Sequence, residues 1–395
     1  MDDVVIVSAC RTPVGSFRGA LSAVTAPRLG AIAIQEAVRR AGIAPGDVQE
    51  VIMGNVLQAG VGQAPARQAA IFAGLPSSVE CMTVNKVCGS GLKAVMLAAQ
   101  AIMVGDADTI VAGGMESMSN APYLLEKARD GYRMGNGEIA DVIYKDGLVD
   151  VYNNFLMGNA AEICAKECDI SREAQDAFAI ESYRRAQEAQ KSGKFKKEIV
   201  GVPVPAGKGQ TVTVLDDEDV TKTNFEKIPT LKPAFTKDGT VTAANASKIN
   251  DGAAALVIMS AAKAKQKGLT PLARIVAQAS FAKDPVWFTT APADGIAKVL
   301  AKAGMTVGDI DLFEVNEAFA VVALAVNKIA RLDPDKVNIH GGAVALGHPL
   351  GASGARILVT LLHALELRNL KRGLAALCIG GGEASGLIVE RWRGE

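Results

Sequence analysis

Ala41-Gly42-Ile43-Ala44-Pro45-Gly46-Asp47-Val48 and Ala303-Gly304-Met305-Thr306-Val307-Gly308-Asp309-Ile310 are two copies of one pattern. Each follows an amphipathic helical stretch (Leu29 to Arg40; Gly295 to Lys302) and precedes an apolar strand (Glu50 to Gly54; Leu312 to Asn316). Further on, Ser90-Gly91 and Ser353-Gly354 each open a helical run, and Ile110 to Gly114 matches Leu377 to Gly381, both short strands running into glycines. The chain therefore reads as two like halves. In the second half the next strand, Gly386 to Arg391, follows at once. In the first its counterpart, Ala253 to Met259, comes only after a long excursion, Ser119 to Asn250. That excursion reads as an insertion holding one strong helix, Ser171 to Ser192, and a charge run, Lys194 to Glu198, expected to be a solvated face. Alternating strands and helices predict an α/β fold with mixed sheets covered by helices. The expected domains are 1–118 with 251–270, the insertion 119–250, and 271–395.

The bulk numbers exclude several classes. Lysine plus arginine equal aspartate plus glutamate at 42 each in 395 residues, so no net basic charge exists to hold nucleic acid or an anionic membrane. Hydrophobic content of 49% with 21% charged residues is that of a folded protein. No apolar run reads as long enough to span a bilayer, and a strand, Val4 to Val7, opens almost at once, so no leader peptide is expected. Six cysteines in so long a chain are no secreted disulfide scaffold. Cys164 and Cys168 share a helix face, but no histidine or further cysteine stands nearby to complete a zinc set, so they read as core and no metal is expected. A soluble, reducing, cytoplasmic setting is the expectation.

Chemistry gathers at the ends of strands. Asn85-Lys86-Val87-Cys88-Gly89-Ser90-Gly91 puts Cys88 at a strand-to-helix turn, where helix N–H groups favour a thiolate. An arbitrary cysteine is a buried small hydrophobe; the glycines and the second half argue otherwise here. Gly341 to Gly354 is a glycine-rich loop opening a helix. It could cradle a phosphate, but it lacks the Walker lysine, and His348 within it can serve as base to a thiol. Cys378 to Gly382 puts a second thiol beside free N–H groups, although Cys378 taken alone reads as core. Asn316-Glu317-Ala318-Phe319 ends a strand; Asn316 is either a helix cap or an amide holding a water or an oxyanion. Thr242 to Ser247 is small and polar, suited to close approach of a ligand. Packing about a pseudo-twofold axis would bring Cys88 to the strand ends bearing Asn316, His348 and Cys378.

Taken together, Asn85 to Gly91, Thr242 to Ser247, Asn316 to Phe319, Gly341 to Gly354 and Cys378 to Gly382, in that order along nearly the whole chain, resemble the thiolase family. The resemblance implies a five-layer αβαβα fold of two similar halves with an inserted loop domain. It implies reversible Claisen condensation of two acetyl-CoA to acetoacetyl-CoA and CoA through an acyl-cysteine, with coenzyme A thioesters as substrates and no other cofactor. The alternative is a broader-chain 3-ketoacyl-CoA thiolase of fatty-acid β-oxidation. A decarboxylating ketoacyl synthase would not need Cys378, and a non-catalytic acyl carrier would not need Cys88, His348 and Cys378 together. By resemblance Cys88 takes the acyl group, His348 activates it, and Cys378 moves the α-proton. Asn316 holds a water that, with His348, faces the enolate oxygen. The N–H groups of Cys88 and Gly380 face the acyl-enzyme oxyanion. Ser247, Leu148, Met157, Phe235, Ala243, Ala318 and Phe319 line the coenzyme A tunnel, and Met157 and Phe288 border the acyl pocket. The loop around Arg133, Gly135 and Gly137 joins family dimers into a homotetramer. Two positions depart from the pattern. Leu156 stands where short-chain members carry histidine, and Val220 where some carry a phosphate-binding arginine, leaving Lys222 as the nearby basic residue.

Overall fold

The repeated pattern is a helix stop followed by a capped turn. In the computed structural model, which describes residues 3–392 apart from Lys208, helix α1 (Ala26–Ala41) ends on Gly42 at φ 68°. Only glycine enters that left-handed region without cost. Asp47 then accepts the Ala44 N–H at 2.9 Å, tightening a short turn before strand Glu50–Gly54. The second copy does the same with Gly304 at φ 64° and Asp309 accepting the Thr306 N–H at 2.8 Å. Residues 1, 2 and 393–395, at the ends of the expected domain ranges, lie outside the described residues.

The main strands are β1 (Val4–Arg11), β2 (Glu50–Gly54), β3 (Glu80–Val84), β4 (Thr109–Ser117), β5 (Asn250–Ser260), β6 (Ala273–Ala282), β7 (Leu312–Val315), β8 (Arg372–Ile379) and β9 (Glu383–Arg391). They run β7-β8-β9-β6-β1-β5-β4-β2-β3 across the sheet. The first half is β3-β2-β4-β5-β1 and the second β7-β8-β9-β6, each parallel at its outer end and antiparallel toward the middle. Val337 forms a parallel bridge to Phe313, at the place β3 occupies in the first half. Among the described residues the two halves' sheets meet edge to edge at Val5–Arg274 and Ile6–Ala273.

The helices are α1, α2 (Pro65–Phe72), α3 (Ser90–Val104), α4 (Met157–Glu167), α5 (Arg172–Lys191), α6 (Ala261–Gln266), α7 (Ala291–Ala303), α8 (Ala320–Ala330), α9 (Ala343–Leu346) and α10 (Leu350–Leu367). Alternation along β1 assigns the layers. Val4 and Ile6 join the cluster built around α3 and α10, whereas Val5 and Val7 join that under α1 and α2. A third cluster packs α7 and α8 on the outer face of the second half. The layers are therefore helices, sheet, the central pair α3 and α10, sheet, helices: the five-layer αβαβα fold. Every residue of β1 is buried, and each aliphatic side chain so placed is worth about 1.5–3 kcal/mol.

The central pair touches through glycine. A Cβ on Gly91 would lie 2.8 Å from Ala355 N, and one on Gly354 would lie 2.4 Å from Leu92 N. Backbones so close set the heads of α3 and α10 side by side. Contrary to the sequence expectation, the stretches Val87–Val104 and Leu350–Leu367 are long and apolar enough to cross a membrane, but they are this central pair, 56% and 83% buried between the sheets. The expected helix of the insertion is α5, capped by Ser171 Oγ accepting from Ala174 N at 3.2 Å. The charge run is only partly solvated. Glu198 is buried and takes Arg11 Nε at 2.6 Å, while Asp217 takes the other side of the same guanidinium at 2.7 and 2.9 Å.

Candidate active site

Cys88 sits at the head of α3 in a tight turn. Val87 takes φ 44°, where a β-branched residue rarely goes. Its neighbours hold it there. Asn85 Oδ1 accepts the Val87 N–H at 3.0 Å, Ser90 Oγ donates to the Val87 carbonyl at 2.6 Å, and that same Oγ accepts from Lys86 N at 2.9 Å. The turn aims the Cys88 sulfur into a cavity of about 630 Å³. The N–H groups of Gly380 and of Cys88 itself point to that sulfur. Their pull toward the thiolate is outweighed by burial, which pushes the Cys88 thiol up to about 11. The N–H groups favour the thiolate as the helix head leads one to expect, while loss of water at this half-buried sulfur acts against it.

His348 lies at the equivalent head of α10 and lines the same cavity. Burial pushes its imidazole down to about 3, so it is neutral at pH 7. Ser353 Oγ donates to the Pro349 carbonyl at 2.9 Å, which leaves its lone pair to accept His348 Nδ1–H at 2.6 Å. Nδ1 then carries the proton. Nε2, which has no partner among the described residues, keeps a free lone pair. Asn250 Oδ1 accepts the His348 N–H at 3.0 Å and fixes the loop.

Cys378, at the end of β8, is buried and does not line the cavity, although Gly380, two residues on, does. Burial first, and Cys88 second, raise its thiol well above the ordinary range. Asn316 follows β7, and its N–H reaches the Ala376 carbonyl at 3.0 Å. Its side-chain amide is fully buried with both polar atoms unpartnered among the described residues, so it does not act as a helix cap. Such a group is costly unless something binds it.

Seven of the eight expected binding residues, Leu148, Met157, Phe235, Ala243, Ser247, Ala318 and Phe319, line the cavity, as does Gly380. Lys222 does not. Its Nζ is taken up by Glu218 at 2.6 Å and by Ser16 Oγ at 2.9 Å, and of these Ser16 lines the cavity. The basic side chain that does line the cavity is Lys248, stacked over Tyr183 at 5.1 Å. Lys248 follows directly on the Thr242 to Ser247 stretch, and that adjacency was the available signal. Phe319 packs edge-on against Phe235 at 6.1 Å and Phe288 at 6.5 Å, giving the pocket an aromatic wall. Leu156 also lines it.

Two duplicated α/β halves that present a cavity-facing cysteine, a neutral histidine and a second buried thiol define an enzyme of covalent acyl chemistry. The chain belongs to the thiolase family. The profile of "Thiolase, N-terminal domain" matches residues 4–262 and that of "Thiolase, C-terminal domain" residues 269–391. It is 57% identical over 392 residues to an acetyl-CoA acetyltransferase of Cupriavidus necator, covering 99% of this chain and 100% of that one. Among solved structures it superposes on the Bacillus anthracis acetyl-CoA acetyltransferase with a TM-score of 0.97 at 44% identity, over 99% of both chains. It superposes on the Acat5 thiolase of Ascaris suum, solved in complex with coenzyme A, with a TM-score of 0.93 at 46% identity, over 98% of this chain and 100% of that one.

Proposed function

We propose that the protein is an acetyl-CoA C-acetyltransferase, interconverting two acetyl-CoA with acetoacetyl-CoA and free CoA. The observation that carries this is Cys88 facing the same apolar cavity as the free Nε2 of a neutral His348. A thiol near 11 needs a local base, and His348 Nε2 takes the proton as the sulfur attacks the thioester carbonyl. The N–H groups of Cys88 and Gly380 receive the oxyanion. His348 then returns the proton to the departing CoA sulfur. Cys378 exchanges the α-proton of the second acetyl-CoA, and the unpartnered Asn316 amide serves the enolate oxygen. Coenzyme A enters along Leu148, Phe235, Ala243 and Ser247 with Lys248 beside its phosphates; thioester chemistry by these groups calls for no further cofactor.

Phe288, Phe319 and Met157 line the cavity with bulky side chains, which supports short acyl chains. Leu156 in place of histidine is the one feature that favours the broader-chain β-oxidation reading. A thiolysis series from four-carbon to eight-carbon 3-ketoacyl-CoA separates them. An open apolar pocket gains about 0.8 kcal/mol per methylene, whereas a filled one loses about 1–3 kcal/mol to overpacking. Efficiency should fall along the series. The catalytic test is mass spectrometry after exposure to acetyl-CoA. One acetyl group should map to Cys88, and Cys378→Ala should still carry it while condensation drops about 10²–10⁴-fold. An adduct on Cys378 would reverse the two roles.

The proposal includes a homotetramer in the cytoplasm. The outer edge of β3, with Met82 exposed, is open for strand pairing, and Tyr123, Leu125, Met134 and Ile139 are exposed on the insertion. Six free cysteines suit a reducing compartment. Sedimentation velocity returning only monomer at micromolar concentration would remove the tetramer.

A further inference from the structure

Glu116 lies at the end of β4, fully buried, and takes no part in the mechanism above. Its Oε1 accepts from Asn55 Nδ2 at 2.7 Å and from Leu57 N at 3.1 Å. Its Oε2 accepts from Val56 N at 3.0 Å and from Gly351 N at 2.8 Å. One carboxylate thus joins the loop beneath Cys88 in the first half to the first turn of α10 in the second, three residues after His348. Gly351 leaves the room: a Cβ there would lie 2.8 Å from Glu116 Oε2. Burial pushes the carboxyl up to about 7 while the four donors draw it down. All four are N–H groups, so a proton on either oxygen would face a donor, and the geometry favours the anion.

The repeat supplies a second case. Gly113-Gly114-Met115-Glu116 corresponds to Gly380-Gly381-Gly382-Glu383. Glu383, of the second half, pairs with Lys86 Nζ, two residues before Cys88 in the first. Each glutamate reaches across to the opposite half's reactive loop.

We propose that Glu116 is the positioning residue of this site: its carboxylate clamps the head of α10, and so His348, to the loop under Cys88, and sets a buried negative charge behind that loop. This rests on the acyl-transfer reading. Among the charged and titratable groups around Cys88, Glu116 acts from its own half, and His348 and Cys378 from the other.

The test compares wild type with Glu116→Gln and Glu116→Asp in acetoacetyl-CoA thiolysis and in iodoacetamide alkylation of Cys88 against pH, mapped by mass spectrometry. In Glu116→Gln, an NH₂ must oppose a donor and the charge is gone. Its kcat should fall about 10²-fold with KM little changed, and its alkylation profile should move to lower pH. Glu116→Asp keeps the charge on a shorter arm, so kcat should fall while the profile stays. A purely structural role would depress both variants without moving either profile, and that result overturns the proposal, as does wild-type kcat in Glu116→Gln. If Glu116→Gln does not fold, Glu116→Asp decides, and a wild-type kcat there overturns it. Wild-type protein that takes no acetyl group overturns the acyl-transfer reading itself, a result separate from any behaviour of the variants.

Discussion

Replacing Gly354 by alanine tests how the two halves bring Cys88 and His348 together. In a helix interior this change normally stabilises by about 1 kcal/mol. Here the new Cβ would lie 2.4 Å from Leu92 N and 2.8 Å from Leu92 Cβ, on the facing helix. Unstrained contacts lie near roughly 3.5–4.0 Å. The closer atom is backbone, so no rotamer change relieves it. Overpacking costs about 1–3 kcal/mol, enough to cancel or reverse the propensity gain. The remaining relief is to part α3 and α10 by roughly 1 Å, which the difference between 2.4 Å and ordinary contact demands. Cys88 and His348 ride on the heads of those helices, and a misplacement of about 1 Å costs about 10²-fold in rate. The expected result is a kcat for acetoacetyl-CoA thiolysis about 10²-fold lower, with no rise in melting temperature. Gly295→Ala on the outer helix α7 is the control, since its Cβ would meet only Ala384 Cβ at 3.2 Å. It should leave kcat near wild type. A Gly354→Ala protein that melts higher and turns over normally would refute the view that the glycine contact sets the catalytic spacing.

Three further outcomes are expected. His340 is buried beside Phe195, and burial lowers its imidazole to about 4. Between about 6.5 and 4 the unfolded chain therefore binds the extra proton, so stability falls as pH drops through that window, by up to about 3 kcal/mol. Urea melts should show a shallower acid slope in His340→Phe, with the slope that remains due in part to His348; an unchanged slope would assign the acid sensitivity elsewhere. Ser353→Ala removes the acceptor of His348 Nδ1–H, a bond worth about 0.5–1.5 kcal/mol, and should lower kcat by up to about tenfold, whereas a wild-type rate would mean that the tautomer is held by something else. Lys248→Ala should raise the KM for CoA by about 2–5-fold, the worth of a surface ion pair, while Lys222→Ala should not; the reverse order would restore Lys222 to the site.

What could be read from the sequence was local, and what could not was made by contact across the chain. The AG…GD pattern announced the duplication because a left-handed glycine cap and an aspartate-closed turn are encoded within eight residues. Cys88, His348 and Cys378 stood out because small residues flank reactive ones at strand ends. Lys194 to Glu198 reads as a solvated run, yet Glu198 is buried because its partner Arg11 arrives from β1, 187 residues away in sequence. Lys222 and Lys248 are equally basic, and only the fold decides which faces the cavity and which is held by Glu218. Glu116 gave no signal, since its four donors come from two halves. The same division governs the chemistry. A helix head alone argues for a Cys88 thiolate, while loss of water at the half-buried sulfur acts against the charge. On the acyl-transfer reading the thiol attacks only with a base beside it, and the candidate base, His348, comes from the second half. On the proposed function, reactivity then depends on the two halves being correctly docked.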